Sequence, residues 1–113
     1  MRKILVGALA AVVLAPLAVR AETWENVPLI DQMCSAKVKA NPDGHPTSCA
    51  LKCASSGYGI FTSSGDFLKL DAAGSAKALA ALKATKKKDH VRANVSGDLK
   101  GDTIQVASLS IPD

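Results

Sequence analysis

Four side chains able to hold a soft or borderline metal ion fall between residues 34 and 53: Cys34, His45, Cys49 and Cys53. The stretch "DGHPTSCALKC" sets the histidine and two of the cysteines at four-residue intervals, and Cys34 stands upstream in "DQMC". Residues four apart share one face of a helix, so Cys49 and Cys53 would stand one turn apart with His45 just ahead of the first turn. Cys34 would then complete a tetrahedron. Thiolate and imidazole donors suit zinc or cuprous copper, and a closed set of three Cys and one His leaves no position for water, which makes it a structural site and not a catalytic one. Met33 would add a soft thioether, although a methionine beside a strand end also fits core packing. The spacing departs from the paired Cys-x-x-Cys knuckles of common zinc modules.

The rival chemistry is a crosslink. Three thiols leave one over whichever pair forms, and Cys34 with Cys49 or Cys53 closes a loop of about 15 to 19 residues, worth about 3 kcal/mol in the chain-entropy model. Pairing Cys49 with Cys53 is less favourable, because side chains four apart on a helix lie near the limit of disulfide reach and point in nearly parallel directions. Enzymatic readings find little support: there is no Cys-x-x-Cys exchange motif, no Gly-x-Ser-x-Gly elbow and no Gly-rich phosphate loop. Cys49 with His45 could imitate a nucleophile and its base, but so small a domain offers little to build around them. His90 reads as an exposed or edge histidine. Asp31, Asp66, Asp71, Asp98 and Asp102 sit at strand ends and turns, where local hydrogen bonding accounts for them.

Compartment decides between a thiol and a disulfide. "MRK", the apolar run "ILVGALAAVVLAPLAV" and the small-residue exit before Glu22 have the form of a secretory signal over residues 1–21. The apolar run is shorter than the roughly 20 residues that span a bilayer, and Pro16 interrupts it, so cleavage after Ala21 is expected, with no stable membrane insertion afterwards. A periplasmic or secreted protein follows. Of 14 basic residues, Arg2, Lys3 and Arg20 would leave with the signal, so 11 face 10 acidic ones in residues 22–113. That near-neutral balance and the few aromatics (Trp24, Tyr58, Phe61 and Phe67) argue against nucleic-acid binding, which needs a basic groove and a stacking surface. Lys86, Lys87 and Lys88 fit the end of a helix, whose dipole favours cations there.

The elements that must position the thiols follow from residue types. "TWENVPLIDQMC" reads as an extended segment with Pro28 at an edge or bulge. "KANPDGHPTS" is a loop, and a short helix runs from Pro46 to about Ser55 before Gly57 stops it. "YGIFTSSGDFLKLD" is a hairpin about Ser64 and Gly65. "DAAGSAKALAALKATKKKD" is the main helix, with residues 76, 79, 80 and 82 as its apolar face. A final hairpin turns at "LKGD", with Val91, Ala93 and Val95 inward and a change of inward parity between Val106 and Ala107 that calls for a bulge or a strong bend.

Residues 22–113 thus make one domain, mainly β with helices: a small five-stranded OB-like Greek-key barrel with one main helix between the third and fourth strands. An open α+β sandwich is the alternative. The stretches "LIDQMC", "HPTSCALKCASSGYGIFTSSGDFLKLD" and "LKATKKKDHVRANVSGDLKGDTIQVASL" resemble a family of small exported, largely uncharacterised bacterial proteins with a Cys…His-x3-Cys-x3-Cys motif. The resemblance implies an exported location and a barrel-like domain. The expected function is an exported, non-enzymatic binding domain whose partner is a metal ion or another protein, with zinc or copper at Cys34, His45, Cys49 and Cys53. The alternative is a structural or protein-interaction module crosslinked by a disulfide.

Overall fold

A computed structural model describes residues 21–112; the expected signal segment, apart from Ala21, lies outside them. The first strand, β1 (Ala21–Asp31), is mostly exposed up to Asn26 and buried from Val27 to Asp31. The change happens at a bulge, where the pairing register shifts between Trp24 and Val27 and Asn26 takes a positive φ of 54°. Asparagine tolerates that left-handed backbone better than most residues. Its N–H donates to Asn94 Oδ1 at 2.8 Å, and its carbonyl accepts from Arg92 Nη1 at 2.7 Å, which fixes the bend. Pro28 lies just past the bulge, opposite Arg92, as its missing donor requires.

Between β1 and the next strand the chain forms short helical pieces. They are a 3-10 turn at Gln32–Cys34, α1 (Ser35–Val38), a second 3-10 turn at Pro42–Gly44, α2 (Thr47–Lys52) and a third 3-10 turn at Ala54–Ser56. The expected short helix is therefore two pieces, with Cys53 at the junction (φ −99°, ψ 23°) and Gly57 (φ 83°) ending the second. The expected loop contains α2's first residues and a 3-10 turn pinned from outside. Asp43 receives Arg92 Nε at 3.0 Å and Nη2 at 2.8 Å, and that paired guanidinium holds the Asp43 carboxyl below the usual carboxylate range.

The hairpin is β2 (Tyr58–Phe61) and β3 (Phe67–Leu70), with Gly65 at φ 90° in the connecting turn. The main helix α3 (Ala72–Ala84) follows, capped by Asp71, whose Oδ1 accepts from Gly74 N at 2.8 Å. Its buried face is Gly74, Ala78 and Leu82, and Ala76 and Ala80 are exposed. The expected face is rotated because alanines fall on every side of this helix, which leaves it no clear apolar side. The close seat of Gly74 on Val106 orients it instead. Lys86, Lys87 and Lys88 lie beyond the helix end. The carbonyls of Lys88 and Lys87 accept from Thr47 N and Oγ1, both at 2.8 Å, anchoring the start of α2.

β4 (Arg92–Lys100) and β5 (Thr103–Ser110) complete a closed barrel of order β1-β2-β3-β5-β4. All pairings are antiparallel except β3 with β5. Because β1 pairs with both β2 and β4, the sheet has closed on itself and the open sandwich is ruled out. The core holds Leu29, Tyr58, Ile60, Leu70, Val95 and Ile104, with Ala78 and Leu82 of α3 packed onto it. The parity change in β5 is a bulge: Ser96 faces Ser108 while Gly97 faces Val106, leaving Ala107 as the extra residue. Among the described residues no helix is long and apolar enough to cross a membrane.

The bulge explains Gly97. A Cβ there would overlap the Gln105 carbonyl oxygen and stand 2.9 Å from its carbon and 3.0 Å from Val106 Cα. These are backbone atoms, which cannot rotate away. Gly97→Ala is therefore expected to destabilise the domain by about 1–3 kcal/mol, the cost of overpacking, despite the lower chain entropy of alanine. Urea unfolding measures it; an unchanged midpoint would mean that the strands do not approach so closely.

Candidate metal centre

The end of β1 carries Asp31 into the interior. Its side chain is 0% exposed, and a buried carboxylate costs several kcal/mol unless its oxygens are matched. Both are. Oδ2 accepts from Cys34 N at 3.0 Å and so caps the 3-10 turn that begins at Gln32. Oδ1 accepts from His45 Nε2 at 2.7 Å, and the His45 side chain is itself only 7% exposed. From the sequence, Asp31 is expected only to make local hydrogen bonds at a strand end. The cap is there, but the residue is also the centre of a buried polar cluster.

Cys34 and Cys53 join this carboxylate. One ligand atom from each of Asp31, Cys34 and Cys53 lies within 4.8 Å of the other two. Two segments converge to achieve it: Gln32 N donates to Gly57 O at 2.8 Å and Gln32 Nε2 to Tyr58 O at 3.0 Å, tying the turn after β1 to the chain just past Cys53. Tyr58, opposite Asp31 in the β1–β2 pairing, donates its hydroxyl to Ala50 O at 2.7 Å. Burial, followed by the charge of Asp31 and of Cys53, raises its phenol above the ordinary range.

Of the four residues expected to ligate, the structure groups Cys34 and Cys53. His45 reaches the group through Asp31, with Nε2 committed to that carboxylate. Cys49 is outside the group. The expected alignment of Cys49 and Cys53 assumed one continuous helix, whereas Cys53 is the residue after α2, where the backbone has already left helical geometry. The three cysteines are free thiols. Met33, expected in the core or as a ligand, is 64% exposed, and its Sδ lies 3.8 Å from Cys53 Sγ. His90 is exposed, as expected, and its Nδ1 lies 2.8 Å from Asp89 Oδ1.

The Cys34 thiol is pushed up to about 11, chiefly by burial, then by hydrogen bonding to Asp31 and the charge of Asp31, with Cys53 adding to both effects. In the metal-free protein it is therefore a protonated thiol at neutral pH. A cation reverses that preference, because it stabilises thiolate and carboxylate together. Two thiolate sulfurs about 2.3 Å from one tetrahedral ion stand about 3.8 Å apart, so separations within 4.8 Å need only a small closure. The signal in the sequence was Asp-x-x-Cys at the end of an apolar strand. Comparison of the chain with protein families, with curated proteins and with solved structures finds no match.

Proposed function

We propose that this chain is an exported, non-enzymatic binding domain that takes a transition metal ion, zinc or cuprous copper, at the thiols of Cys34 and Cys53 gathered beside Asp31. The observation that carries the reading is the convergence of two thiols on a wholly buried carboxylate whose second partner is a histidine. Such a carboxylate–histidine pair orients a ligand and tunes its basicity in metal sites. Two thiolate donors leave positions open around the ion, so it would be exchangeable and not locked in a closed cage. Export rests on the signal-like pattern of residues 1–21 and on the resemblance given above.

Metal binding should release the thiol protons and weaken as the pH falls. The test is competition of reduced protein against a chromogenic chelator, with zinc and with cuprous ion separately. Replacing both Cys34 and Cys53 by serine is expected to abolish binding, and Cys49→Ser to leave it nearly unchanged. Equal binding by the double variant and the wild type would remove the site.

A second reading has its own support: the same two sulfurs are near enough for oxidation to join them, across a loop of about 19 residues worth about 3 kcal/mol. Titration of unfolded protein distinguishes the two. One reactive thiol indicates the crosslink, and three indicate reduced donors.

A further inference from the structure

Resting on the metal-binding reading, we propose that Cys34, Cys53 and Met33 form a three-sulfur site that selects cuprous copper over zinc, with Asp31 and His45 as positioning residues and not ligands. Met33 is the one large apolar side chain that is exposed among the described residues. Burial therefore does not explain its place. Its sulfur nevertheless lies 3.8 Å from Cys53 Sγ. Sulfurs about 2.3 Å from a shared ion stand about 3.8 Å apart in tetrahedral and about 4.0 Å apart in trigonal geometry, so this pair is already at bridging separation.

The backbone holds it there. Met33 N donates to Ser56 Oγ at 3.1 Å, and that hydroxyl donates to Cys53 O at 2.8 Å, so one serine links the two sulfur-bearing residues. Asp31 is committed differently, with Oδ1 on His45 and Oδ2 on Cys34 N. Recruiting it as a ligand would weaken contacts that keep a buried carboxylate matched, whereas recruiting Met33 gives up only the weak, exposed hydrogen bond that Cys53 Sγ donates to Met33 Sδ. A thioether is a neutral, soft donor that favours cuprous ion, while zinc gains little from it and takes nitrogen, oxygen or thiolate instead.

Met33→Leu removes the sulfur at nearly constant volume on an exposed side chain, so the fold should be unaffected. In anaerobic chelator competition the variant is expected to bind cuprous ion at least about tenfold more weakly, since losing a ligand should cost no less than losing an outer partner. Zinc affinity should not change. X-ray absorption of the copper-loaded wild type should show sulfur neighbours alone. Unchanged cuprous affinity, an equal loss for zinc, or a nitrogen or oxygen neighbour on copper would overturn the three-sulfur site while leaving metal binding at the cysteines intact. If wild-type protein binds neither ion, or binds both as well without Cys34 and Cys53, the metal-binding reading itself fails and this proposal with it.

Discussion

Asp31→Ala is expected to destabilise the fold by about 2–5 kcal/mol, the cost of leaving two donors in a buried cluster without their acceptor. Against the roughly 5–15 kcal/mol that holds a small domain together, that is a large fraction. The loss has two parts. Cys34 N loses the acceptor that caps the turn after β1, and His45, with a side chain 7% exposed, is left with Nε2 unmatched. Asp31→Asn should cost less, because its single side-chain oxygen can serve either donor but not both. A double-mutant cycle with His45→Ala isolates the contact: the two single losses should exceed the loss in the double variant by at least about 1 kcal/mol. Strictly additive losses in urea unfolding would show that the 2.7 Å contact carries no coupling energy.

The barrel was readable in the chain because its signals are local. The hairpin turn at Gly65 and the tight turn at Gly101 need positive φ, which glycine supplies, and the bulge at Ala107 shows as a break in the alternation from Ile104 and Val106 to Leu109. Closure follows from β1 being long and bent enough to pair on both sides. The face of α3 was not readable, since an alanine-rich helix takes its orientation from the close seat of Gly74 on Val106, a contact made across the fold.

The site divides along the same line. Cys34, Cys53 and His45 stood out by residue type, but their arrangement depends on two features with no local signature. One is the burial of Asp31, which needs His45 to fold back from 14 residues away. The other is the end of α2 at Lys52, which turns Cys53 toward the end of β1 and leaves Cys49 out of the group. A capping aspartate looks the same in a sequence whether its other oxygen meets solvent or a buried imidazole.

Cys34 is expected to alkylate slowly near neutral pH, for a reason that separates from simple shielding. Thiolate is the reactive form, and a thiol that titrates near 11 instead of 9.0 has about a hundredfold less of it at pH 8. Burial is the first cause and Asp31 the second, so Asp31→Asn should lower the midpoint of Cys34 part of the way. The folded value lies above the unfolded one, so the stability this thiol contributes is fully present below about pH 9 and is lost as the pH rises through about 11. Iodoacetamide labelling of reduced, metal-free protein, with each cysteine followed by mass spectrometry, measures the profile. The Cys34 rate should climb about tenfold per pH unit and level off only near pH 11. Shielding without a shifted titration would slow Cys34 equally at every pH and leave its midpoint near 9, and that outcome would show that Asp31 and burial do not hold the proton on this sulfur.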